Sequence, residues 1–190
     1  ADVTRSLIII PARLASTRLP GKLLLDIAGK PMLQHCWERA VRAKVGDVYI
    51  ATEDTRIEQV ATAFGAEVIA TGAHTSGTAR IAAAIKPLDL QDADVIINLQ
   101  GDEPLLPIAL IQSLHQHARH KLESASGDGA FSICTPLHEA AQLRDPNQVK
   151  VVLDHARRAL LFSRAALPWV AGATAGQAAA TLISQQAVYL

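Results

Sequence analysis

Short apolar runs alternate with stretches of helical periodicity along most of the chain. Residues 6–12 (SLIIIPA) form a continuous β-branched run, which is typical of a strand covered on both faces. Similar runs predict three further strands, at 47–52, 67–70 and 94–99. Helical periodicity predicts four helices, at 31–44, 55–64, 78–86 and 107–120. This alternation indicates βαβ units on a mostly parallel sheet.

Pro, Gly and short polar side chains set the expected boundaries of these elements. Pro31 occupies a first helical position, where its missing N–H has no consequence. Asp54 is predicted to cap the second helix. Residues 124–129 (SASGDG) are the clearest loop, and strand-like segments follow it at 130–135, 149–154 and 159–163. The tail from Trp169 is rich in Ala, Gly, Thr and Gln, and its pattern assigns no element.

Composition and charge narrow the class of protein. Hydrophobic residues make up 49% and charged residues 19% of the chain, as in a globular protein with a buried core. Lys+Arg and Asp+Glu each total 18, so no basic excess is present and a nucleic acid is not expected as the partner. The apolar run at 7–12 is too short for membrane insertion or a signal-peptide core. Cys36 and Cys134, far apart in sequence, predict reduced thiols in a cytoplasmic protein.

A basic loop, residues 11–22 (PARLASTRLPGK), follows the first predicted strand. Ligands of open α/β sheets bind at the carboxyl ends of the strands, which is where this loop begins. It contains three cations, Arg13, Arg18 and Lys22. Backbone N–H groups and cations in such a loop can bind a triphosphate, whereas the plain alternative is a solvated loop. The patterns GxxxxGK[ST] and GxGxxG are both absent, so this is neither of those phosphate-binding motifs.

An acidic loop, residues 98–104 (NLQGDEP), follows a later predicted strand. Gly101 permits a tight turn, which would direct Asp102 towards the same edge of the sheet as the basic loop. A carboxylate that faces a triphosphate can hold the Mg²⁺ that bridges phosphate oxygens. Alternatively, Asp102 caps the helix that begins near Pro107. For Glu103, a structural role is expected.

Seven motifs occur in the order and spacing of one known family: PARLASTRLPGK, DIAGKPMLQH, ATED, HTSGTAR, NLQGDEP, NQVKVVLD and LLFSRAALPW. Together they resemble the 3-deoxy-manno-octulosonate (Kdo) cytidylyltransferases, or CMP-Kdo synthetases, over residues 6–169. The resemblance implies a Rossmann-like nucleotide-diphospho-sugar transferase fold, which is a three-layer α/β/α sandwich with a mostly parallel sheet. It also implies a homodimer that uses Mg²⁺. The expected division is a nucleotide-binding domain over 1–163 and an incomplete sugar-binding and dimerisation region over 164–190.

The resemblance also implies roles for individual residues. Arg13, Lys22 and Asp102 would carry the reaction, with Asp102 as the Mg²⁺ ligand. Nucleotide contacts would fall on Pro11, Ala12, Arg13, Arg18, Lys22, Ala51, Thr52, Arg80, Gln100 and Gly101. Arg164 and Gln100 would contact the sugar acid. A guanidinium at position 164 suits a carboxylate because its fork of donors matches the two oxygens, although a surface ion pair is the plain alternative.

The implied reaction transfers CMP from CTP to the anomeric hydroxyl of Kdo and releases pyrophosphate, for lipopolysaccharide biosynthesis. Thr75 and Ala79 depart from the family's usual HQSGTER, where an amide and an acid stand. The family's C-terminal stretch, with its second metal-binding Asp, has no match here, so either the sequence is incomplete or part of the site is lost. Alternative functions are a cytidylyltransferase for another acid sugar, such as sialic acid or an amino analogue of Kdo, or a non-catalytic nucleotide-binding module.

Overall fold

The computed structural model describes residues 4–15, 19–124, 129–166 and 188–189. The chain divides into two compact units, Ala1–Gly129 and Ala130–Leu190. The first unit contains a parallel sheet and the second an antiparallel sheet. The boundary expected after residue 163 separates two functions, whereas these two units are separated by their compactness. The expected functional boundary therefore stays a prediction.

In the part of the first unit that the structure describes there are six strands: β1 (Ser6–Ala12), β2 (Asp26–Ile27), β3 (Lys30–Pro31), β4 (Asp47–Thr52), β5 (Glu67–Ala70) and β6 (Val95–Asn98). The main sheet has the order β5–β4–β1–β6, and all of its strand pairs are parallel. Strands β2 and β3 form a small separate hairpin, which the sequence pattern did not predict. Strand β1 is central, and Leu7, Ile8, Ile9 and Ile10 are fully buried. The prediction of a strand covered on both faces is therefore confirmed.

The four predicted helices of the first unit are α1 (Met32–Ala43), α2 (Thr55–Ala63), α3 (Gly77–Ile85) and α4 (Ile108–Glu123). Pro31 precedes α1 in an extended conformation instead of opening it. Asp54 caps α2 as predicted, and its carboxylate accepts a hydrogen bond from the Arg56 amide at 2.9 Å. Two 3₁₀ turns lie at Lys22–Leu24 and Lys86–Leu88. In the described part of the chain, no helix has both the length and the apolar character needed to cross a membrane.

Helices cover both faces of the main sheet. On one face, Ile9 and Ala51 pack with residues of α3 such as Ile81. Side chains alternate along a strand, so Ile10 points to the opposite face, where it lies near Leu33 of α1 around Gly101. Helix α4 packs against α1 on that side. The predicted three-layer α/β/α sandwich with a mostly parallel sheet is confirmed.

The described residues of the second unit, 130–166 and 188–189, form a short helix, α5 (Ala140–Arg144), and four antiparallel strands: β7 (Thr135–Pro136), β8 (Lys150–Leu153), β9 (Ala159–Ser163) and β10 (Val188–Tyr189). The strands predicted at 149–154 and 159–163 are confirmed. The strand predicted at 130–135 is wrong except at its last residue. Among the described residues of this stretch, Thr135 and Pro136 are the ones that pair with another strand. That strand, β10, is itself two residues long.

Candidate functional site

The carboxyl ends of β1, β4 and β6 lie side by side at one edge of the main sheet. Ala12 is aligned with Thr52 across the β1–β4 pair, and Ile9 is aligned with Asn98 across the β1–β6 pair. The Leu99 amide extends this second pairing by donating to the Ile9 carbonyl at 3.1 Å. The basic loop and the acidic loop therefore leave from neighbouring strands, at the edge where open α/β sheets bind ligands.

An ion pair between Lys22 and Asp102 brings the end of the basic loop to the acidic loop. Gly21, just before Lys22, has a left-handed φ of 69°, a conformation that glycine adopts without steric cost. Its amide donates to the Leu14 carbonyl at 3.1 Å, which closes the basic loop on itself. The Lys22 and Asp102 side chains are 31% and 39% exposed, so solvent and ligands reach both.

Gly101 lets the acidic loop lie directly on the core. A Cβ at this position would stand 3.3 Å from Leu33 Cδ1 and 3.5 Å from Leu23 Cδ2, so a side chain would have to displace its neighbours. The Gly101 carbonyl accepts a hydrogen bond from the Cys36 thiol at 3.1 Å. Burial raises the pKa of Cys36 to about 11, so the thiol stays protonated and can donate at neutral pH. A side chain at position 101 would therefore require small shifts of the neighbouring leucines.

A second ion pair joins the end of β4 to α3. Arg80 is 2% exposed and pairs with Glu53, which directly follows β4. Its Nη1 also donates to Thr71 Oγ1 at 2.7 Å. Ser76 places Arg80 in the first turn of α3, because its Oγ accepts from the Ala79 amide at 3.1 Å and caps the helix. The Nη2 of Arg80 is buried and has no hydrogen-bond partner among the described residues.

Sequence reasoning missed Glu53. A signal for it was present, since an acid that directly follows a strand of a parallel sheet lies at the ligand-binding edge. Arg80, by contrast, was singled out as a nucleotide contact, and its burial against Glu53 was not foreseen.

Three of the residues expected to contact the nucleotide, Pro11, Ala51 and Thr52, lie in closely packed surroundings. Pro11 contacts the start of α3, where a Cβ on Gly77 would lie 3.3 Å from Pro11 Cγ. Ala51 and Thr52 are buried. The Thr52 carbonyl accepts from the Thr71 amide at 2.8 Å, which fixes the end of β4. Ala51 and Thr52 therefore offer little side-chain surface to a ligand.

The other predicted nucleotide residues differ in accessibility. Arg13 and Gln100 are exposed, and the Gln100 amide donates to Asn98 Oδ1 at 2.8 Å. Ala12 is buried at the end of β1. Arg18 lies outside the described residues, so its predicted role stays a prediction.

Arg164 belongs to the second unit, where its backbone and side chain are both hydrogen-bonded. Its guanidinium Nη1 donates to the Pro146 carbonyl at 2.8 Å. Its carbonyl accepts from the ammonium of Lys150 at 2.6 Å, and Lys150 is 2% exposed. The Lys150 ammonium also donates to the carbonyls of Asp145 and Gln148, at 3.0 and 2.9 Å. Arg164 itself is exposed, so its side chain is open to a ligand.

Across the residues that the structure describes, no group of three or more His, Cys, Asp and Glu side chains could hold a metal ion. Asp102 offers a single carboxylate at the binding edge. Mg²⁺ is commonly held by one or two carboxylates together with substrate phosphates and water. Asp102 therefore fits a metal site that a bound nucleotide would complete.

These features define an α/β protein with a parallel sheet, whose carboxyl edge combines a cationic loop with a carboxylate loop. The family model "Cytidylyltransferase" matches residues 7–189, and the chain belongs to that family. It is 52% identical over 163 residues to the 3-deoxy-manno-octulosonate cytidylyltransferase of Thioalkalivibrio sulfidiphilus, covering 85% of this chain and 64% of the relative. The corresponding protein of Cellvibrio japonicus is 48% identical over 85% of this chain and 62% of its own length. This chain thus spans somewhat less than two thirds of these curated relatives.

A solved structure is similar as well. It is that of a CMP:2-keto-3-deoxy-manno-octonic acid synthetase complexed with CTP. The TM-score is 0.79 and the sequences are 36% identical, with 98% of this chain and 70% of that chain covered. This likeness supports the fold.

Proposed function

We propose that this protein transfers CMP from CTP to the anomeric hydroxyl of Kdo and releases pyrophosphate. Its family and its similarity to Kdo cytidylyltransferases support this reaction. The observation that carries the proposal is the contact between Lys22 and Asp102. It joins the cation that we propose to bind phosphate to the carboxylate that we propose to bind the metal. The product would serve lipopolysaccharide biosynthesis in the cytoplasm, and the enzyme would act as a homodimer.

The chemistry requires positioning and charge neutralisation more than it requires a covalent intermediate. The sugar hydroxyl attacks the α-phosphate in line with the departing pyrophosphate, and negative charge spreads over the phosphate oxygens. Arg13, Arg18 and Lys22 would bind the triphosphate and offset that charge. Mg²⁺, when bound, would neutralise further charge on the phosphates, and Asp102 would hold it.

The ion pair between Lys22 and Asp102 gives each side chain a partner until the ligands arrive. The triphosphate would take over Lys22, because its oxygens offer the ammonium more negative charge than one carboxylate does. Asp102 would then be released to serve as the metal ligand. One exchange of partners would thus prepare both halves of the site.

The sugar acid would be recognised through its carboxylate by Arg164. The exposed guanidinium of Arg164 can form two parallel hydrogen bonds with a carboxylate. Its backbone is held by Lys150, so its position does not depend on the ligand. A sialic acid or an amino analogue of Kdo also carries a carboxylate, and these sugars belong in the same assay.

The decisive experiment replaces Asp102 with asparagine in the complete native protein and measures pyrophosphate release from CTP, Kdo and Mg²⁺. Asp102→Asn keeps the shape and removes the charge, so turnover should fall by orders of magnitude while CTP still binds. Asp92→Asn is the matched control, since Asp92 is exposed and remote in the fold from the described site contacts. Unchanged turnover in Asp102→Asn would refute the metal assignment. CTP binding without turnover on any acid sugar would favour a non-catalytic nucleotide-binding module.

A further inference from the structure

One face of helix α1 holds the backbone on both sides of Asp102. Nε of Arg39 donates to the Pro104 carbonyl, and Nη1 donates to the Leu106 carbonyl at 3.2 Å. Three residues earlier on the helix, Cys36 donates to the Gly101 carbonyl. Positions three apart lie on the same side of a helix, so the hydrogen bonds from Cys36 and Arg39 come from one face of α1.

The segment that carries Asp102 has no helix or strand between the end of β6 and the start of α4. At its start, Leu99 and Gly101 are buried, and Lys22 pairs with Asp102. Beyond Asp102, Leu105 is 81% exposed and Leu106 is half-buried. The Leu106 amide donates to the Glu103 carbonyl at 3.2 Å, which shapes the turn without tying it to another element. The bonds from Arg39 attach the part of this turn that follows Asp102 to helix α1.

Arg39 is well suited to this task. Its side chain is half-buried, and it makes no ion pair among the described residues. Its charge is therefore directed at the two loop carbonyls. Hydrogen bonds from a charged donor are stronger than neutral ones, and the planar guanidinium fixes the angle between its two acceptors.

We propose that Arg39 is a positioning residue for Asp102, assisted by Cys36. The inference rests on the proposed function, in which Asp102 binds the metal that accompanies CTP. Arg39 touches neither substrate nor metal and acts by fixing the backbone from Gly101 to Leu106. Displacements of about 1 Å in a reacting group can lower rates by about 100-fold, so a loosened carboxylate should be a poor metal ligand.

The test compares Arg39→Ala with Arg42→Ala in the complete native protein. Arg42 is an exposed arginine on the same helix and is the matched control. For Arg39→Ala we expect kcat to fall by about tenfold or more and the Mg²⁺ concentration for half-maximal rate to rise similarly. The Kd for CTP without metal should stay within about twofold of the parent value, because the phosphate-binding cations are untouched. Arg39→Lys should recover part of the loss, since an ammonium can still reach one carbonyl.

Amide hydrogen exchange provides a readout that does not depend on activity. Arg39→Ala should speed exchange in peptides that cover residues 101–107 and leave β1 and β4 unchanged. Should Arg39→Ala fail to fold, Arg39→Lys and Cys36→Ala carry the same comparison. Faster exchange throughout the first unit, or a loss of kcat with no change in Mg²⁺ dependence, would overturn the inference.

Asp102→Asn, measured alongside, keeps the two proposals distinguishable. If Asp102→Asn is inactive while Arg39→Ala is fully active with unchanged loop exchange, the positioning role is wrong and the proposed function stands. If Asp102→Asn retains full activity, the metal assignment of Asp102 fails while the proposed reaction stands, and the exchange data alone then decide whether Arg39 fixes the loop. If the parent protein releases no pyrophosphate from CTP with any acid sugar, the proposed function fails, and the exchange data still test the role of Arg39.

Discussion

Replacing Glu53 with glutamine would show how far the end of β4 depends on a buried charge. The substitution keeps the size of the side chain and removes the negative charge that faces Arg80, which is 2% exposed. Thr71 Oγ1 and the Gly72 carbonyl remain as neutral acceptors, at 2.7 and 3.4 Å. Glu53→Gln therefore isolates the contribution of the charge from that of packing.

The expected loss follows from the exposure of the two partners. Breaking a fully buried ion pair costs about 3–5 kcal/mol, because the remaining charge is left uncompensated. Glu53 is 32% exposed, so water already screens part of the interaction, and glutamine can still accept a hydrogen bond. We expect a decrease of about 1–3 kcal/mol in the free energy of unfolding of the first unit. At about 4 °C per kcal/mol, Tm should fall by about 4–12 °C.

Tryptophan fluorescence can follow the first unit selectively during urea titration. Trp37 lies in this unit and packs against Phe64, with ring centroids 5.3 Å apart. The other tryptophan, Trp169, can be changed to phenylalanine in the parent protein, so that the signal comes from Trp37 alone. Glu58→Gln, at an exposed position of α2, is the control and should change stability by about 0.5 kcal/mol or less.

A double substitution tests whether the ion pair between Glu53 and Arg80 stabilises the fold. If the ion pair stabilises the fold, Glu53→Gln combined with Arg80→Leu should cost less than the sum of the two single changes. Equal losses for Glu53→Gln and the Glu58→Gln control would refute the claim that the buried guanidinium needs its carboxylate.

Three other predictions concern ligands and thiols. CTP with Mg²⁺ should raise Tm more than ATP or GTP does, because a small pyrimidine suits the closely packed surroundings of Ala51 and Thr52; equal stabilisation by ATP would contradict this. Arg18→Ala should weaken CTP binding by about 1.5–3 kcal/mol in calorimetry and leave the Tm of the free protein nearly unchanged, whereas a large fall in Tm would make Arg18 structural. At pH 8, the half-buried Cys134 should react with a disulfide reagent well before Cys36, whose pKa is raised to about 11; equal rates in the folded protein would mean that Cys36 is accessible.

The parallel sheet was predictable because its strands are short, continuous and β-branched. The bounds of β1, β4 and β5 agree with the predicted ones, since each strand is flanked by polar or small residues. The second unit was harder to predict. Strand β7 pairs with β10, which is about fifty residues further along the chain. The sequence around Thr135 contains no pattern that predicts this distant pairing.

The candidate site was predictable in part for the same reason. Loops that follow neighbouring parallel strands meet at one edge, so the approach of Lys22 to Asp102 could be expected from their positions after β1 and β6. Arg39 could not be found in this way. Its contacts depend on how α1 is rotated about its own axis against the segment after Asp102, and local periodicity does not encode that rotation.

The pairing of Lys22 with Asp102 also has a consequence for how the molecule is made. The two residues stand 80 positions apart, so the cation is synthesised long before its carboxylate. Contacts between distant parts of a chain form slowly, because a long loop must close first. A nascent chain that has not yet reached β6 therefore carries the basic loop without Asp102. The two halves of the site come together only when β6 joins β1, so completion of the sheet and assembly of the site are one event in folding.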